Sequence, residues 1–367
     1  MDIESLPHPA WIELDLEQFR RNIQAIRKKI GSSLFCLPVK GNAYGHGLIP
    51  VAKAAVDAKV DVLAVSYMQD GILLREAGIN LPILVFGGVY EEQVPYYIQY
   101  DLEVSVGSKF KAEMVDKASE KVGKRCKVHL EVDTGMKRFG VRPENVTDLY
   151  ECAKSKKYLE IKGVYSHFAT SEVPDDLNTL KQIETFKEIK KKIGGNYLWH
   201  IANSGGVLNY PDSHMDMVRC GFLSYGYFPD GRSDLEIKPF LTLKAKVAYF
   251  KVVFPNEGIG YGHKYKPKAM SRVVTIPLGY GDGYKRALSN QASILIRGKR
   301  YPIAGVICMD QFMADIGTGE AYVGDEAVII GKQGEEEISV FEIARLSGSI
   351  PYEVLTILNS RLPRKIS

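Results

Sequence analysis

The feature of this sequence that most restricts its fold is a repeated alternation of short apolar runs with amphipathic helical stretches, which ends near residue 235. Most of the runs lack polar alternation, as strands buried on both faces of a sheet do. The pattern predicts eight strands, at residues 34–39, 60–67, 82–87, 102–106, 126–132, 161–167, 197–202 and 215–220. It predicts helices between them, for example at residues 48–58, 69–77 and 176–193.

Eight strands alternating with helices indicate an α/β fold of the (β/α)8 TIM-barrel type. A doubly wound open sheet is the competing fold. It is disfavoured because no GxGxxG segment opens a helix directly after a strand.

The pattern changes after residue 238. Alternating runs separated by turn residues follow at 240–253, 272–278, 293–297, 301–307 and 326–330, with one clear helix near 340–346. This is typical of a small, mostly antiparallel β domain. We therefore predict a barrel over residues 10–238 and a β domain over residues 239–367. An early alternating strand within residues 1–16 is a candidate member of the second domain.

Composition disfavours several classes of protein. The net charge of +4 over 367 residues is mild, whereas a nucleic-acid binder concentrates Lys and Arg in one stripe. No apolar stretch is long enough to span a bilayer, and the N-terminus lacks a basic segment before an apolar run. The five cysteines have no CxxC spacing and the seven histidines no HxH or HxxxH spacing. We expect a cytoplasmic protein with reduced thiols, no metal site, and no membrane or nucleic-acid partner.

Polar residues follow several predicted strands, where a barrel collects its reactive groups. Lys40 ends the first strand beside a glycine-rich turn, a costly place for a charge that is neither used nor neutralised. Taken alone, Lys40 is either catalytic or a paired structural lysine. Later strand ends carry residues 133–138, 166–169, 200–206 and 219–221.

Each of these later segments also has an ordinary structural interpretation. His167 could be a buried core histidine, and Asn203 with Ser204 could simply cap the helix that follows. The turn at residues 204–206 opens a helix and offers free backbone N–H groups to an anion, as phosphate sites do. Because so many polar groups converge on one barrel mouth, the sequence favours a functional site there.

On these motifs the chain resembles the bacterial alanine racemases over nearly its whole length. The most specific match is residues 39–47, VKGNAYGHG, which resembles the lysine segment that binds the cofactor in that family. Supporting matches occur in the family's order at residues 132–136, 166–169, 203–206, 260–262, 279–284 and 308–311.

The resemblance implies a pyridoxal 5'-phosphate (PLP) enzyme that interconverts L-alanine and D-alanine, the latter for peptidoglycan. Lys40 would hold PLP as a Schiff base and act as the base on one face of the substrate. Tyr261 would act on the other face from the partner subunit, so a homodimer with shared active sites is expected. Free lysine and tyrosine side chains lose a proton near pH 10, so both would need lowered pKa values.

The resemblance also assigns the surroundings of the cofactor and the amino-acid substrate. Arg219 matches the arginine that faces the pyridine nitrogen, and His167 is expected near the ring and in contact with Arg219. Arg138 and the backbone of Met309 match the groups that orient the substrate and its carboxylate. The positions that bind the phosphate are matched by Tyr44, Ser204, Gly221 and Tyr352, with Asn203 and Phe222 adjacent.

Position 131 departs from the family's pattern. Many members carry a lysine there, seven residues before the arginine that matches Arg138, and that lysine is often carbamylated. Here the residue is Glu131. We hypothesise that Glu131 pairs with Arg138 and makes the modification unnecessary. In the alternative, Glu131 points elsewhere and water or chloride fills the gap.

Other functions are weighed on the same residues. A broad-specificity, serine or lysine racemase of the same fold would differ mainly in pocket size, which the sequence leaves open. Barrel decarboxylases that use PLP are expected to be longer and to carry a Gly-Glu-Pro-Gly loop that is absent here. A non-enzymatic PLP homeostasis protein is a lone barrel, without a domain carrying Tyr261 and Met309. A non-catalytic binding barrel would leave the Lys40 turn without a role.

Overall fold

The computed structural model describes residues 7–228 and 235–367. The described residues form two compact units, one of residues 17–43, 48–228 and 235–239 (the barrel unit) and one of residues 7–16, 44–47 and 240–367 (the β unit). Within the described residues, no helix combines the length and apolar character needed to cross a bilayer.

The strands in chain order are β1 (Ala10–Leu14), β2 (Leu34–Pro38), β3 (Val62–Val65), β4 (Ile83–Val85), β5 (Glu103–Val106), β6 (Cys126–Glu131), β7 (Leu159–Tyr165), β8 (Leu198–His200), β9 (Met217–Arg219), β10 (Leu241–Lys246), β11 (Tyr249–Val253), β12 (Ser271–Ile276), β13 (Ser293–Ile296), β14 (Lys299–Pro302), β15 (Phe312–Gly317), β16 (Glu326–Gln333), β17 (Glu336–Ile338) and β18 (Arg364–Ile366). The α-helices are α1 (Leu16–Ile30), α2 (Leu48–Asp57), α3 (Met68–Glu76), α4 (Val94–Gln99), α5 (Lys109–Val122), α6 (Val146–Ser155), α7 (Leu177–Ile193), α8 (Ser204–Asn209), α9 (Val340–Leu346) and α10 (Pro351–Thr356).

The barrel unit is built on one parallel sheet. Strands β2 to β9 pair in the order β8-β7-β6-β5-β4-β3-β2-β9. The two ends of that order also meet, because Arg219 N donates to Ala202 O at 2.8 Å and Asp216 N to Trp199 O at 3.1 Å. The predicted (β/α)8 fold is therefore confirmed, and parallel strands that close in this way place their carboxyl ends at one mouth.

Local sequence explains the boundaries of the longer helices around the barrel. Ser108 precedes α5, and its side chain accepts a hydrogen bond from Lys111 N, while Gly123 ends the helix with φ of 75°. Asp176 caps α7 in the same way by accepting from Thr179 N. Replacing such a cap with alanine costs about 1 kcal/mol. These caps hold the helices against the strands that carry the site.

The β unit contains two sheets, ordered β14-β13-β16-β10-β1-β18, with β17 beside β16, and β11-β12-β15. Strand β1 lies antiparallel to β10 and parallel to β18. The mostly antiparallel architecture expected for this part of the chain is thus confirmed.

Two expectations for this region were wrong in detail. Residues 240–253 do not form one strand, because Val247 N donates to Asp325 O and Ala248 N to Thr275 O, which directs β10 and β11 into different sheets. A second helix, α10, follows α9. It is only six residues long and starts at a proline, too short for helical periodicity to reveal it.

Candidate active site

The turn after β2 presents Lys40 at the carboxyl end of the strand in an unusual backbone. Gly41, Asn42 and Ala43 have φ values of 61°, 53° and 52°, with ψ between 46° and 53°, so they form a left-handed turn. Asn42 Oδ1 stabilises it by accepting from Leu48 N at 2.7 Å. Left-handed geometry costs about 1–2 kcal/mol at a residue with a Cβ. Strain of this kind is characteristic of functional sites.

The Lys40 amine is half-buried, and its pKa lies below the ordinary lysine value. Burial is the largest cause, and the positive charges of Arg138 and Arg219 add to it. A lower pKa leaves more of the amine unprotonated at neutral pH. Lys40 is therefore prepared to act as a nucleophile toward a carbonyl group or as a base.

Arg219 is the most extensively bonded side chain of the site, and it is 3% exposed. Its Nη1 donates to His200 Nδ1 at 2.9 Å and to His200 O at 3.0 Å. Its Nη2 donates to Ser166 O at 2.6 Å, Ile201 O at 3.3 Å and His167 Nδ1 at 3.2 Å. Within the described residues, Arg219 Nε makes no hydrogen bond. This N–H is available to an acceptor on a ligand.

His167 follows β7 and carries no charge in this environment. Burial lowers its pKa well below the ordinary histidine value, and the charges of Arg219, Arg138 and Lys40 lower it further. Because Nδ1 accepts from Arg219, the proton of the neutral ring lies on Nε2. His167 is thus a fixed, neutral neighbour of three cationic side chains.

The start of α8 is held by Asn203, whose Oδ1 accepts from Gly206 N at 3.0 Å and from Ser171 Oγ at 2.6 Å. Gly205 lies so close to the Ser171 backbone that a Cβ would come within 2.7 Å of it. Only glycine allows this approach. Asn203 therefore caps the helix, the structural role considered from the sequence, and it fixes the turn that precedes Gly206.

This turn and the one after β9 leave backbone donors without protein acceptors. The N–H groups of Ser204, Gly205 and Gly221, all in buried residues, form no hydrogen bond within the described part of the chain. The two turns are adjacent, because Ser204 Oγ accepts from Leu223 N at 3.4 Å. Buried N–H groups normally have a partner, so this cradle fits an anionic group such as a phosphate.

Glu131 and Arg138 do not form the expected direct pair. Arg138 lies exposed on the loop after β6, whereas Glu131 is buried, and no ion pair joins the two described side chains. Burial raises the pKa of Glu131 to about 7, against opposing effects of the Tyr165 hydroxyl, Arg219 and Arg138. The two side chains attract each other only at longer range.

Apart from Phe222, the remaining predicted residues lie in loops and short helices of the β unit. The Tyr44 and Tyr352 rings are 6.2 Å apart between centroids. Tyr261 lies on a turn between two glycines and is 72% exposed, and Met309 is 56% exposed. Met309 O accepts from Gly281 N at 2.8 Å, which positions the backbone of that loop. Phe222, in the barrel unit, is buried and stacks on Tyr227 with centroids 5.2 Å apart.

Sequence reasoning missed polar residues inside the barrel, namely Glu103, His129 and the side-chain role of His200. All are buried on strands of the parallel sheet. One signal was available: Glu103 is the one charged residue of the predicted strand at 102–106, and a buried carboxylate requires a partner. The identity of that partner could not be obtained from spacing alone.

Comparison with known proteins gives one consistent result. The family model described as alanine racemase, N-terminal domain, matches residues 14–229, and the C-terminal domain model matches residues 240–366. The alanine racemase of Halothermothrix orenii is 38% identical, over 98% of this chain and 97% of the relative. That of Carboxydothermus hydrogenoformans is 40% identical, over 97% of this chain and 99% of the relative.

Solved structures agree with these relatives. Alanine racemase of Clostridium difficile 630 superposes with a TM-score of 0.94 at 34% identity, covering 99% of this chain and 97% of that one. Alanine racemase of Bacillus anthracis with bound L-Ala-P gives 0.93 at 34% identity, covering 99% and 96%.

Proposed function

This chain belongs to the alanine racemase family, and from this premise we propose that it interconverts L-alanine and D-alanine with PLP as cofactor. One observation carries the proposal. Lys40 stands on a strained turn at the mouth of the barrel with a lowered pKa, in the electrostatic field of Arg219 and Arg138. A carbonyl cofactor needs such an amine to bind covalently.

The described residues of the barrel unit fit PLP. Lys40 Nζ would hold the cofactor, the N–H groups of Ser204, Gly205 and Gly221 would bind its phosphate, and Arg219 Nε would donate to its ring nitrogen. By resemblance, Tyr44 and Tyr352 remain expected phosphate ligands, with Asn203 and Phe222 adjacent. When bound, PLP supplies the conjugated system that accepts the charge left by the departing α-proton.

Arg219 and the two bases would determine the outcome of the reaction. Arg219 would donate a hydrogen bond to the ring nitrogen without giving up its proton, because a guanidinium stays protonated at accessible pH, and the cofactor would therefore be a weaker electron acceptor. This would favour return of the proton to the α-carbon of the substrate. Lys40 would move the proton on one face, and the phenol of Tyr261 on the other.

Substrate orientation is assigned to Arg138 and the Met309 backbone, with Glu131 as a supporting residue. The carboxyl of Glu131 attracts Arg138 without contacting it. We therefore propose that Glu131 biases the position of the Arg138 loop rather than forming the direct pair expected from the sequence.

We further propose a homodimer in which Tyr261 and Met309 complete the partner's site around Lys40. Both residues are largely exposed, and strand β11 exposes the successive residues Tyr249 and Phe250 by 58% and 39%. Apolar side chains exposed on successive positions of one strand are typical of a surface that another chain covers.

The test uses two variants that are inactive for different reasons. Lys40→Ala and Tyr261→Phe should each lower kcat/KM for alanine by about 100-fold or more, because each removes one acid–base group. Mixed by co-expression, they should recover about a quarter of the activity, because half of randomly formed dimers contain one intact composite site. The assay is chirality-resolved, with and without added PLP, on alanine, serine, lysine and glutamate.

Lys192→Ala and Tyr322→Phe, at exposed positions of the same two units, serve as matched controls and should retain wild-type rates. If the mixed variants stay inactive, the sites are not shared between subunits. If the wild-type protein with PLP racemises none of the four amino acids, the proposed function itself is wrong.

A further inference from the structure

A continuous hydrogen-bonded chain of side chains crosses the interior of the barrel unit behind Arg219. Glu103 Oε2 lies 2.8 Å from His129 Nε2, His129 Nδ1 lies 3.0 Å from His200 Nε2, and His200 Nδ1 lies 2.9 Å from Arg219 Nη1. All four side chains are at most 6% exposed. We call this chain the buried relay.

The chemistry of its two ends determines the position of every proton in the buried relay. Arg219 can only donate, so His200 Nδ1 must accept, and the proton of neutral His200 lies on Nε2. That proton is donated to His129 Nδ1, which leaves the His129 proton on Nε2, facing Glu103. An ionised carboxylate only accepts, so it completes the pattern.

The reverse arrangement is excluded by the same donor and acceptor rules. If His200 carried its proton on Nδ1, an N–H of the imidazole would face an N–H of Arg219. Burial, followed by the charges of Arg219 and His129, holds the pKa of His200 well below the ordinary value, so the doubly protonated ring is disfavoured as well. The ring is also held in place by stacking on Tyr165, with centroids 5.0 Å apart and planes inclined by 7°.

We propose that Glu103 and His129 are positioning residues, which act through His200 to hold the Arg219 guanidinium with its Nε–H free for the ligand. The two Nη groups are engaged by His200 and by the carbonyls behind them, so rotation of the guanidinium would break several bonds at once. The carboxyl group of Glu103 is the remote acceptor that completes the buried relay.

The positioning role rests on the proposed function in one respect, namely that the ligand of Arg219 Nε is the ring of the cofactor. The state of the buried relay is a property of the protein alone. Its two histidine tautomers can therefore be measured without cofactor or substrate.

The first experiment records the ring 15N shifts of His129 and His200 by NMR in the wild-type protein, with assignments from His129→Gln and His200→Gln. Both rings should carry their proton on Nε2. A His200 ring protonated on Nδ1 in the wild-type protein would overturn the proposal.

The second experiment replaces Glu103 with Gln, whose amide oxygen can still accept a hydrogen bond but carries no charge. Arg219 should still hold both ring protons on Nε2, while the weaker hydrogen bond from His129 Nε2–H should move the chemical shift of that proton upfield. With PLP bound, kcat for alanine should fall by about tenfold, the size found for outer partners of ligating groups, with KM unchanged because Arg219 does not contact the substrate. Glu120→Gln, on the exposed face of α5, is the matched control and should change neither readout.

The outcomes separate the two proposals. If the wild-type enzyme racemises alanine but Glu103→Gln changes neither the His129 Nε2–H shift nor kcat, the positioning role is wrong and the function stands. If the tautomers behave as expected but no amino acid is racemised, the buried relay stands and the proposed function is wrong.

Discussion

The two units of this protein place their charged side chains differently. In the barrel unit, Glu103, Glu131 and Arg219 are buried, and their partners come from other strands of the same sheet. In the β unit, charges such as Arg300 and Arg297 form pairs at the surface, and Tyr261 is 72% exposed. The barrel unit thus buries the charged groups of its candidate site, whereas the β unit exposes Tyr261 and these ion pairs.

The difference shows how each unit contributes to function. Buried polar groups are costly unless fully hydrogen-bonded, and once bonded they are rigid, which suits groups that must hold a cofactor in one orientation. Exposed polar groups have no desolvation penalty, but they acquire a fixed environment only when another surface covers them. The β unit is therefore the one expected to act at a partner's site.

The largest effect is expected from reversing the buried charge at Arg219. Arg219→Glu should lower racemisation by about 100-fold or more, because a preorganised donor is lost, and it should raise the share of transamination. The carboxylate introduced at position 219 in this variant would stabilise a protonated ring nitrogen, which would make the cofactor a stronger electron acceptor. The measurement is the ratio of pyruvate to D-alanine formed from L-alanine.

Arg219→Lys is the matched control for this change. Lysine keeps the positive charge but lacks the planar guanidinium with its several N–H donors. The variant should therefore racemise alanine slowly, without an increase in transamination. An unchanged product ratio in Arg219→Glu would contradict the role assigned to this residue.

The next effect concerns stability, through Glu131. Its pKa in the folded protein is about 7, above the ordinary 4.5, so its contribution to stability is complete below pH 4.5 and is lost as the pH rises through 7. The loss is on the order of 3 kcal/mol. Glu131→Gln should lack this loss and be the more stable protein at pH 8, measured by denaturant unfolding without PLP.

Glu188→Gln, on the exposed face of α7, is the control and should follow the wild-type pH dependence. A wild-type pH profile in Glu131→Gln would show that this carboxyl is not held in the environment seen in the structure. If Glu131→Gln left the KM for alanine unchanged, the proposal that Glu131 influences the position of Arg138 would be wrong.

The smallest effect is expected at the surface of the β unit. Arg300 pairs with Glu342 at 2.7 Å and with Glu336 at 3.3 Å, and its side chain is 33% exposed. Arg300→Ala should cost about 1 kcal/mol or less, and less still in high salt. Thermal unfolding at two salt concentrations measures this, and Glu336→Gln should behave similarly. If Arg300→Ala lowered the free energy of unfolding as much as ionisation of Glu131 does, surface charges of the β unit would matter as much for stability as buried charges of the barrel unit.

Much of the fold followed from local pattern. The eight predicted strands overlap β2 to β9, and the expected helices match α2, α3 and α7, because buried strands and amphipathic helices leave different periodicities in a sequence. The pattern failed at residues 240–253, where an uninterrupted alternation of apolar residues covers two strands, β10 and β11, that belong to different sheets. Periodicity reports which face is buried, and it carries no information about which sheet buries it.

For the site, the sequence alone determined which residues follow a strand, and so it located Lys40, the Ser204 turn and Arg219. Only the tertiary structure decided that Glu103, His129 and His200 meet, since they are separated by 26 and 71 residues along the chain. It also decided that Ala43 adopts positive φ, which nothing in its local sequence requires. Contacts between strands depend on register and on closure of the barrel, and these are settled by packing of the whole chain rather than by any short segment.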